Sequence, residues 1–242
     1  MEATAIETLR YMAENWRHLL ELTGQHLQIA LIAVLGALVV GVVLGILASR
    51  YPAVAGPLVG TTAVFQTIPA LAFIGFVMIF LGLTRWTGIT VLFFYCLLPI
   101  VRGTYTGISQ VQPGGIEAAR GMGMTGWQIL TRVEIPPALP VILVGVRLAT
   151  VVAVGTATMM SLAGAGGLGQ EIFAGIDRVQ NKMILAGAVP AAVLAVLADR
   201  AIGALEVLLT PAGLMPGGAR RGGRRLRQWA TIGAFAAVSL VA

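Results

Sequence analysis

Lysine is almost missing from this chain: among 242 residues there is one, Lys182, in Gln180-Asn181-Lys182-Met183. A phosphate-binding loop requires Gly-Lys-Ser/Thr, so ATP hydrolysis by this chain is excluded and its energy must come from another subunit. Cysteine is equally scarce. Cys96 is alone and lies in an apolar run, which permits no intrachain disulfide and leaves a small core residue as its expected role. His18 and His26 have no Cys or carboxylate at ligand spacing, so both read as surface histidines, no metal site is expected, and no Ser/His/Asp set can be assembled. Charged residues make up only 11% of the chain, against about a quarter in soluble domains. Residues 1–16 also lack the basic start and short apolar core of a cleaved signal peptide. Membrane insertion is therefore expected to rely on the first span.

What fills the chain instead is apolar: 57% of residues, with a mean hydropathy of +0.90. This composition describes an all-helical, multi-pass membrane protein. The 31 Gly and 11 Pro sit inside long apolar runs, which suits membrane helices that pack closely and break at chosen points. The runs cover 27–48, 54–82, 88–106, 138–160, 184–209 and a short stretch from Trp229 to Ala242. A span needs about 20 residues, so five core spans are expected, with a short sixth at the end. The second run is too long for one straight helix. Pro57 and Pro69 are expected to divide it, with Gln66-Thr67-Ile68-Pro69 forming a break at membrane depth that faces other helices. Gly36, Gly41, Gly45, Gly145, Gly155 and Gly187 read as close-packing positions.

Basic residues in short loops orient the spans, because Lys and Arg are retained on the cytoplasmic side. Arg50, Arg102, Arg120, Arg132 and the cluster Arg220, Arg221, Arg224, Arg225 and Arg227 fall on one side. Arg10, Arg17, Arg85, Arg178 and Lys182, mixed with acids, fall on the other. The loop at 102–137 is therefore cytoplasmic and the amino terminus external. The five-Arg cluster borders an apolar stretch, so it reads as an orientation and lipid signal, not a nucleic-acid patch. Residues 1–26 are expected to form an external amphipathic helix, with Ile6, Leu9, Ala13, Trp16 and Leu20 on one face and alternating charges on another. The transmembrane domain is placed at 27–215, and 216–242 form a basic segment and an apolar end.

The cytoplasmic loop is patterned for structure. Pro113-Gly114-Gly115 is expected to end one helix, and Ile116 to Met122 to form another with Glu117 in its first turn, where a carboxylate suits the helix dipole. A turn is expected at Gly121-Met122-Gly123-Met124. Thr125-Gly126-Trp127-Gln128 reads as a capping box opening a second short helix to about Glu134, which Ile135-Pro136-Pro137 is expected to stop. Met122, Met124, Trp127 and Ile129 are then available to fill a pocket on another protein.

These residues carry a resemblance. Glu117-Ala118-Ala119, three residues, Gly123, nine residues, then Val133-Glu134-Ile135-Pro136 resembles the EAA loop of binding-protein-dependent ABC importer permeases, with Val133 and Ile135 as conservative departures. Phe65 to Ala72, Phe93 to Ile100, Arg102 to Ile108, Gly121 to Thr125, Gly166 to Gly169 and Leu209 to Leu214 are similar to the osmoprotectant branch, the permeases for glycine betaine, choline and carnitine. The likeness covers roughly residues 20–215. It implies a type I ABC importer permease fold whose partners are a cytoplasmic ATPase dimer holding ATP and Mg, a second permease copy or paralogue, and an extracytoplasmic substrate-binding protein. It implies no cofactor in this chain. In such a protein the loop docks in a groove of the ATPase, with contacts from Glu117, Ala118, Ala119, Arg120, Gly121, Met122, Gly123, Met124, Trp127 and Pro136. Arg132 and Glu134 lie where force from ATP must enter.

Gly164-Ala165-Gly166-Gly167-Leu168-Gly169 formally matches the dinucleotide fingerprint, but a membrane span precedes it and no acid follows near residue 189. The resemblance makes it an external gate loop, carried by Gly164, Gly166, Gly167, Leu168 and Gly169. Gln66, Pro69, Tyr95 and Met159 are candidates to line the solute route, and Phe93, Phe94 and Tyr95 read as packing more than as a quaternary-ammonium cage. Arg147, Asp199 and Glu206 are expected to pair across helices, because an unpaired charge costs at least about 2.5 kcal/mol at the bilayer centre. The rival readings are a permease for another small polar solute such as an amino acid, an ATP-independent transporter or channel, and a structural scaffold.

Overall fold

The computed structural model describes residues 2–209. The expected basic segment and apolar end at 216–242, with the five-Arg cluster, lie outside the described residues. Ten α-helices follow in order: α1 (Glu2–Glu14), α2 (Trp16–Arg50), α3 (Pro52–Thr67), α4 (Ala70–Leu81), α5 (Arg85–Ser109), α6 (Pro113–Gly121), α7 (Gly126–Ile129), α8 (Ile135–Met160), α9 (Gly169–Asp177) and α10 (Asn181–Leu209). A π-helical turn, Leu130–Glu134, joins α7 to α8, and a 3-10 turn, Ser161–Ala163, follows α8. There is no strand among the described residues.

Three helical stretches, α2, α5 and the continuous Gly126–Ala163, are long and apolar enough to cross a membrane. Between α3 and α4 the chain bends by 100°, placing the break at Ile68-Pro69 as the sequence requires. Pro57 does not divide the run; it sits in the second turn of α3, and the helix continues to Thr67 although the Ala53 carbonyl loses its helical donor. The last helix among the described residues is α10, whose 29 residues are longer than the bilayer core requires at about 1.5 Å of rise per residue.

The first 26 residues are not a separate helix. Asn15 interrupts the helix, its side-chain amide donating to the Tyr11 carbonyl at 3.0 Å, and α2 then runs unbroken into the membrane. One face of α2 is buried throughout: Leu19, Leu22, His26, Ile29, Ala33, Ala37, Gly41, Gly45 and Ala48 recur at three- and four-residue steps. This continuity corrects the reading of His26 as a surface residue. It is fully buried, and its Nε2–H donates to the Val154 carbonyl of α8 at 3.0 Å. The apolar stripe of the amphipathic stretch points away from the chain, with Ile6, Leu9, Trp16 and Leu20 all exposed.

Helices α2, α5 and α8 meet at their smallest residues. A Cβ on Gly41 or Gly45 would come within 2.8 Å of Ile100 or 2.4 Å of Thr104 on α5. On α8, a Cβ on Gly145 would lie 2.5 Å from the Pro99 carbonyl and 3.2 Å from the Gly103 Cα. Both are backbone atoms, so no side-chain movement can make room. Cys96 lies buried in the same interface, its thiol donating to the Ala149 carbonyl at 3.5 Å. Gly155, by contrast, faces open space: a Cβ there would meet nothing within 4 Å. Gly145→Val is therefore expected to destabilise the fold by at least the ~1–3 kcal/mol typical of overpacking, whereas Gly155→Val leaves it unchanged. Thermal unfolding in detergent, with the two variants side by side, measures the difference.

Candidate functional site

The loop between α5 and α8 folds as two short helices around a tight turn. Pro113 does not end a helix; it opens α6 at its first position, where the missing N–H costs nothing and its fixed φ fits. Glu117 accordingly falls in the second turn of α6, exposed and away from the dipole end. Of the EAA triplet, Glu117 and Ala118 face out and Ala119 is buried. Gly123 takes φ +78°, while the Met122, Gly123 and Met124 amides bond back to Ala118, Arg120 and Ala119. A non-glycine residue at this left-handed position would cost about 1–2 kcal/mol.

The capping box forms as read: the Gln128 amide donates to Thr125 Oγ1 at 3.3 Å and the Thr125 amide to Gln128 Oε1 at 2.8 Å. The prolines at 136 and 137 do not stop the helix. The π-helical turn widens the backbone so that the Ile135 amide reaches the Leu130 carbonyl, and the helix continues through two residues that carry no N–H of their own. Pro136 is half-buried at the start of α8. Met122 and Trp127 stand out from the loop, 75% and 72% exposed. Gly121, Arg120 and Arg132 are also exposed and Met124 is half-buried. Ile129 is not available to a partner, since it is buried in this chain's own core. Glu134 is likewise turned inward, and both of its carboxylate oxygens accept from the Arg50 guanidinium, one at 2.9 Å.

Inside the membrane, the break between α3 and α4 is held by α5. Pro99 lacks an N–H, so the Tyr95 carbonyl has no donor from within its own helix; Gln66 Nε2 supplies one at 2.7 Å. The Tyr95 hydroxyl in turn donates to the Ile68 carbonyl, freed where α3 ends. Gln66, Pro69 and Tyr95 are thus brought together, while Met159 lies partly exposed on α8 and takes no part in this set. Phe65, Phe73 and Phe94 pack ring on ring beside it, with centroids 4.4–5.9 Å apart, which supports the packing role for the aromatics. Gln66 also lines a cleft of about 270 Å³ with Arg102, Thr106 and Gly145.

Arg147 of α8 pairs with Asp199 of α10 through two bonds, Nε to Oδ1 at 2.5 Å and Nη2 to Oδ2 at 2.6 Å, and approaches Glu206 at 3.9 Å. Both partners are partly exposed on the helix surfaces, and Arg147 has two acids of α10 within reach.

After α8, the glycine-rich turn is packed into the fold. Gly164, Gly166 and Gly167 adopt φ values of +76°, +83° and +87°, and Leu168 and Gly169 are buried. Gln25 of α2 accepts the Gly167 amide at 3.1 Å, and Gly164 backs onto Leu83. The turn joins α2, the α4–α5 connection and α8. Beside it, Glu171 is buried at the start of α9, accepts the Tyr11 hydroxyl at 2.5 Å and lies 3.4 Å from His18. Sequence reasoning misses this cluster, because Tyr11 and Glu171 are 160 residues apart and no local pattern pairs them.

Broken and close-packed apolar helices, with a helix-turn-helix between α5 and α8 that exposes apolar knobs, fit a membrane transport component. The chain belongs to the family of binding-protein-dependent transport system inner membrane components, which residues 27–209 match. It is 44% identical to the carnitine transport permease protein OpuCB of Listeria monocytogenes, over 88% of this chain and 97% of that one. It is 41% identical to the glycine betaine/carnitine/choline transport system permease protein OpuCB of Bacillus subtilis, over 86% and 96%. It is also 41% identical to the osmoprotectant import permease protein OsmW of Salmonella typhimurium, over 86% and 100%. Among solved structures, an inward-facing MetNI methionine ABC transporter shares its fold with a TM-score of 0.69 at 22% identity, covering 80% of this chain and 96% of that one. The type I importer permease fold and the inner-membrane location follow.

Two predictions arise here. Arg147→Leu leaves two carboxylates unpaired in a span and is expected to lower the yield of folded protein in membranes; Arg147→Leu with Asp199→Leu removes most of that loss, read by fluorescence-detected gel filtration. Tyr11 is pushed up to about 12 by partial burial first and then by its bond to the Glu171 carboxylate. A proton held more tightly in the folded state stabilises below pH 10, and that contribution drains away between about pH 10 and 12. The unfolding temperature is expected to fall over this window and to fall less in Tyr11→Phe.

Proposed function

We propose that this chain is the membrane-spanning subunit of an ATP-driven importer for quaternary ammonium osmoprotectants: glycine betaine, choline or carnitine. The cargo assignment rests on relatives at 41–44% identity that are named for those solutes. The methionine transporter, at 22%, shares only the fold, so an amino acid is the weaker choice. ATP and Mg belong to a separate cytoplasmic ATPase dimer, a second permease copy or paralogue completes the pathway, and an extracytoplasmic binding protein delivers the solute.

The observation that carries the coupling role is the loop itself. Exposing a Met and a Trp on a short segment fixed by a capping box and a left-handed glycine is costly unless another protein covers them. Glu117, Ala118, Arg120 and Gly121 surround these knobs and form the rim of the contact. Closure of the ATPase around ATP then pushes α6 and α7 as one piece, and α8, continuous with α7, carries the push into the bundle. On the opposite face, the buried Gly164–Gly169 turn serves as the external closure, fixed to α2 and α4 and moving with them. Gln66 and Tyr95, at the broken span, border the route, with the cleft beside Arg102 as its inner part.

The test is to purify the chain with an ATPase subunit and a binding protein of the osmoprotectant importer class and to measure ATP hydrolysis and betaine uptake in proteoliposomes. Stimulation of hydrolysis by the loaded binding protein is expected. Truncating an interface aromatic costs about 2 kcal/mol or more, so Trp127→Ala is expected to weaken ATPase association about thirtyfold. Retention of the ATPase by both Trp127→Ala and Gly123→Val would refute the docking role.

A further inference from the structure

The most unusual polar contact in the molecule joins the cytoplasmic loop to the first span. Glu134 is 2% exposed, yet it lies in a segment that faces the cytoplasm. Both carboxylate oxygens are taken by the Arg50 guanidinium, in the two-point geometry that only Arg offers. Among the described residues, no other hydrogen bond or ion pair links residues 110–134 to α2 or α3. A buried ion pair is a weak source of stability compared with apolar side chains of the same volume. What it supplies is a fixed distance and a fixed orientation between two elements.

Both ends of this contact are stiff. Glu134 closes the π-helical turn, a feature frequently found where a helix has a mechanical or binding role, and it follows directly from the capped α7. Arg50 is the last residue of α2, and Tyr51 alone separates it from Pro52, the first residue of α3. The pair therefore grips a corner that belongs to two membrane helices. At the far end of α3, Gln66 and Ile68 are bonded to Tyr95, so a displacement of the corner along α3 reaches the break at mid-membrane without a flexible link on the way.

We infer that the Arg50–Glu134 pair is a strut that carries movement of the α6–α7 loop into the α2–α3 corner, making Arg50 and Glu134 positioning residues of the transport cycle. The inference rests on the reading of the loop as an ATPase docking element. Through α8 the loop pushes on the body that α8 forms with α2 and α5; through the strut it also acts directly on the α2–α3 corner, from which α3 leads to the broken span.

The test uses the full complex of permease, ATPase and binding protein in proteoliposomes and compares wild type with Glu134→Gln and with the apolar double variant Arg50→Met/Glu134→Met. Three quantities are read: ATPase co-purification, ATP hydrolysis, and betaine transported per ATP hydrolysed. The strut predicts that the double variant keeps its ATPase while transport per ATP falls at least tenfold. Glu134→Gln, which preserves shape and one hydrogen bond, is expected to lose about threefold in the same ratio. A merely structural pair would lower co-purification and yield and leave that ratio unmoved. A wild-type ratio in an assembled Glu134→Gln complex overturns the inference even if the double variant does not fold. If the wild-type chain neither binds the ATPase nor supports ATP-dependent uptake, the docking reading fails first, and the strut falls with it.

Discussion

Inside a bilayer there is no water to satisfy a backbone N–H or C=O, so every place where a helix stops or loses a donor has to be repaired by another part of the protein. The bend between α3 and α4 and the proline in α5 are two such places, and they repair each other. The carbonyl freed by Pro99 accepts from Gln66, next to the bend, and the carbonyl freed by the bend accepts from Tyr95, one turn before the proline. Neither defect is stable alone in lipid; together they form a closed set of bonds. The aromatic rings of Phe65, Phe73 and Phe94 then seal it from the surrounding chains. A helix broken in this way supplies what a transport pathway needs: polar atoms at membrane depth, in a place where the backbone is already free to re-pair.

The same economy governs charge. Ionisable groups are few, and three pairs of them join separate elements: Arg147 with Asp199 joins α8 to α10, Arg50 with Glu134 joins α2 to the loop, and Tyr11 with Glu171 joins α1 to α9. Every one of these contacts ties elements far apart in sequence, and they lie at different depths. Close packing at glycine holds α2, α5 and α8 in one body by shape alone. The ion pairs attach the remaining pieces to that body with direction.

What can be read from the residues alone follows from how local each feature is. The capping box needs only positions 125 and 128, the left-handed turn only Gly123, and the bend only Pro69, so all three are legible. The prolines near the loop mislead because their effect depends on the neighbouring turn. Pro113 begins α6 because the chain has already left α5 and Gln112 before it is extended, and Pro136 and Pro137 are absorbed by a π-helical turn that no local pattern announces. The burial of His26 depends on α2 passing through residue 26 without a break. Ile129 and Glu134 look like partner contacts when the loop is treated as one surface, yet the rotation introduced at 130–134 turns them inward. The Arg50–Glu134 pairing, 84 residues apart, cannot be chosen from sequence over any other acid and base on the same side. That Arg147 pairs with an acid of α10 can be read, because opposite charges in adjacent apolar runs have few alternatives, but the choice of Asp199 over Glu206 comes from the structure.

The arrangement of rigid and breakable parts has a mechanical consequence. A permease driven from outside the membrane needs a stiff input, since a soft loop would absorb the displacement of the ATPase instead of passing it on. Here the stiffness comes from backbone chemistry: a reciprocal cap at α7, a glycine turn with three backbone bonds, and a wide π-helical turn that keeps α7 and α8 one continuous rod across two prolines. The compliant part is elsewhere, at the α3–α4 bend, where a change in angle exchanges hydrogen bonds among Gln66, Tyr95 and Ile68 instead of breaking a helix. On the proposed docking, force applied at Met122 and Trp127 enters the bundle through α8, and the joint that yields is the α3–α4 bend beside the candidate route. That separation of a stiff loop from a yielding joint is the mechanical basis of the proposed coupling.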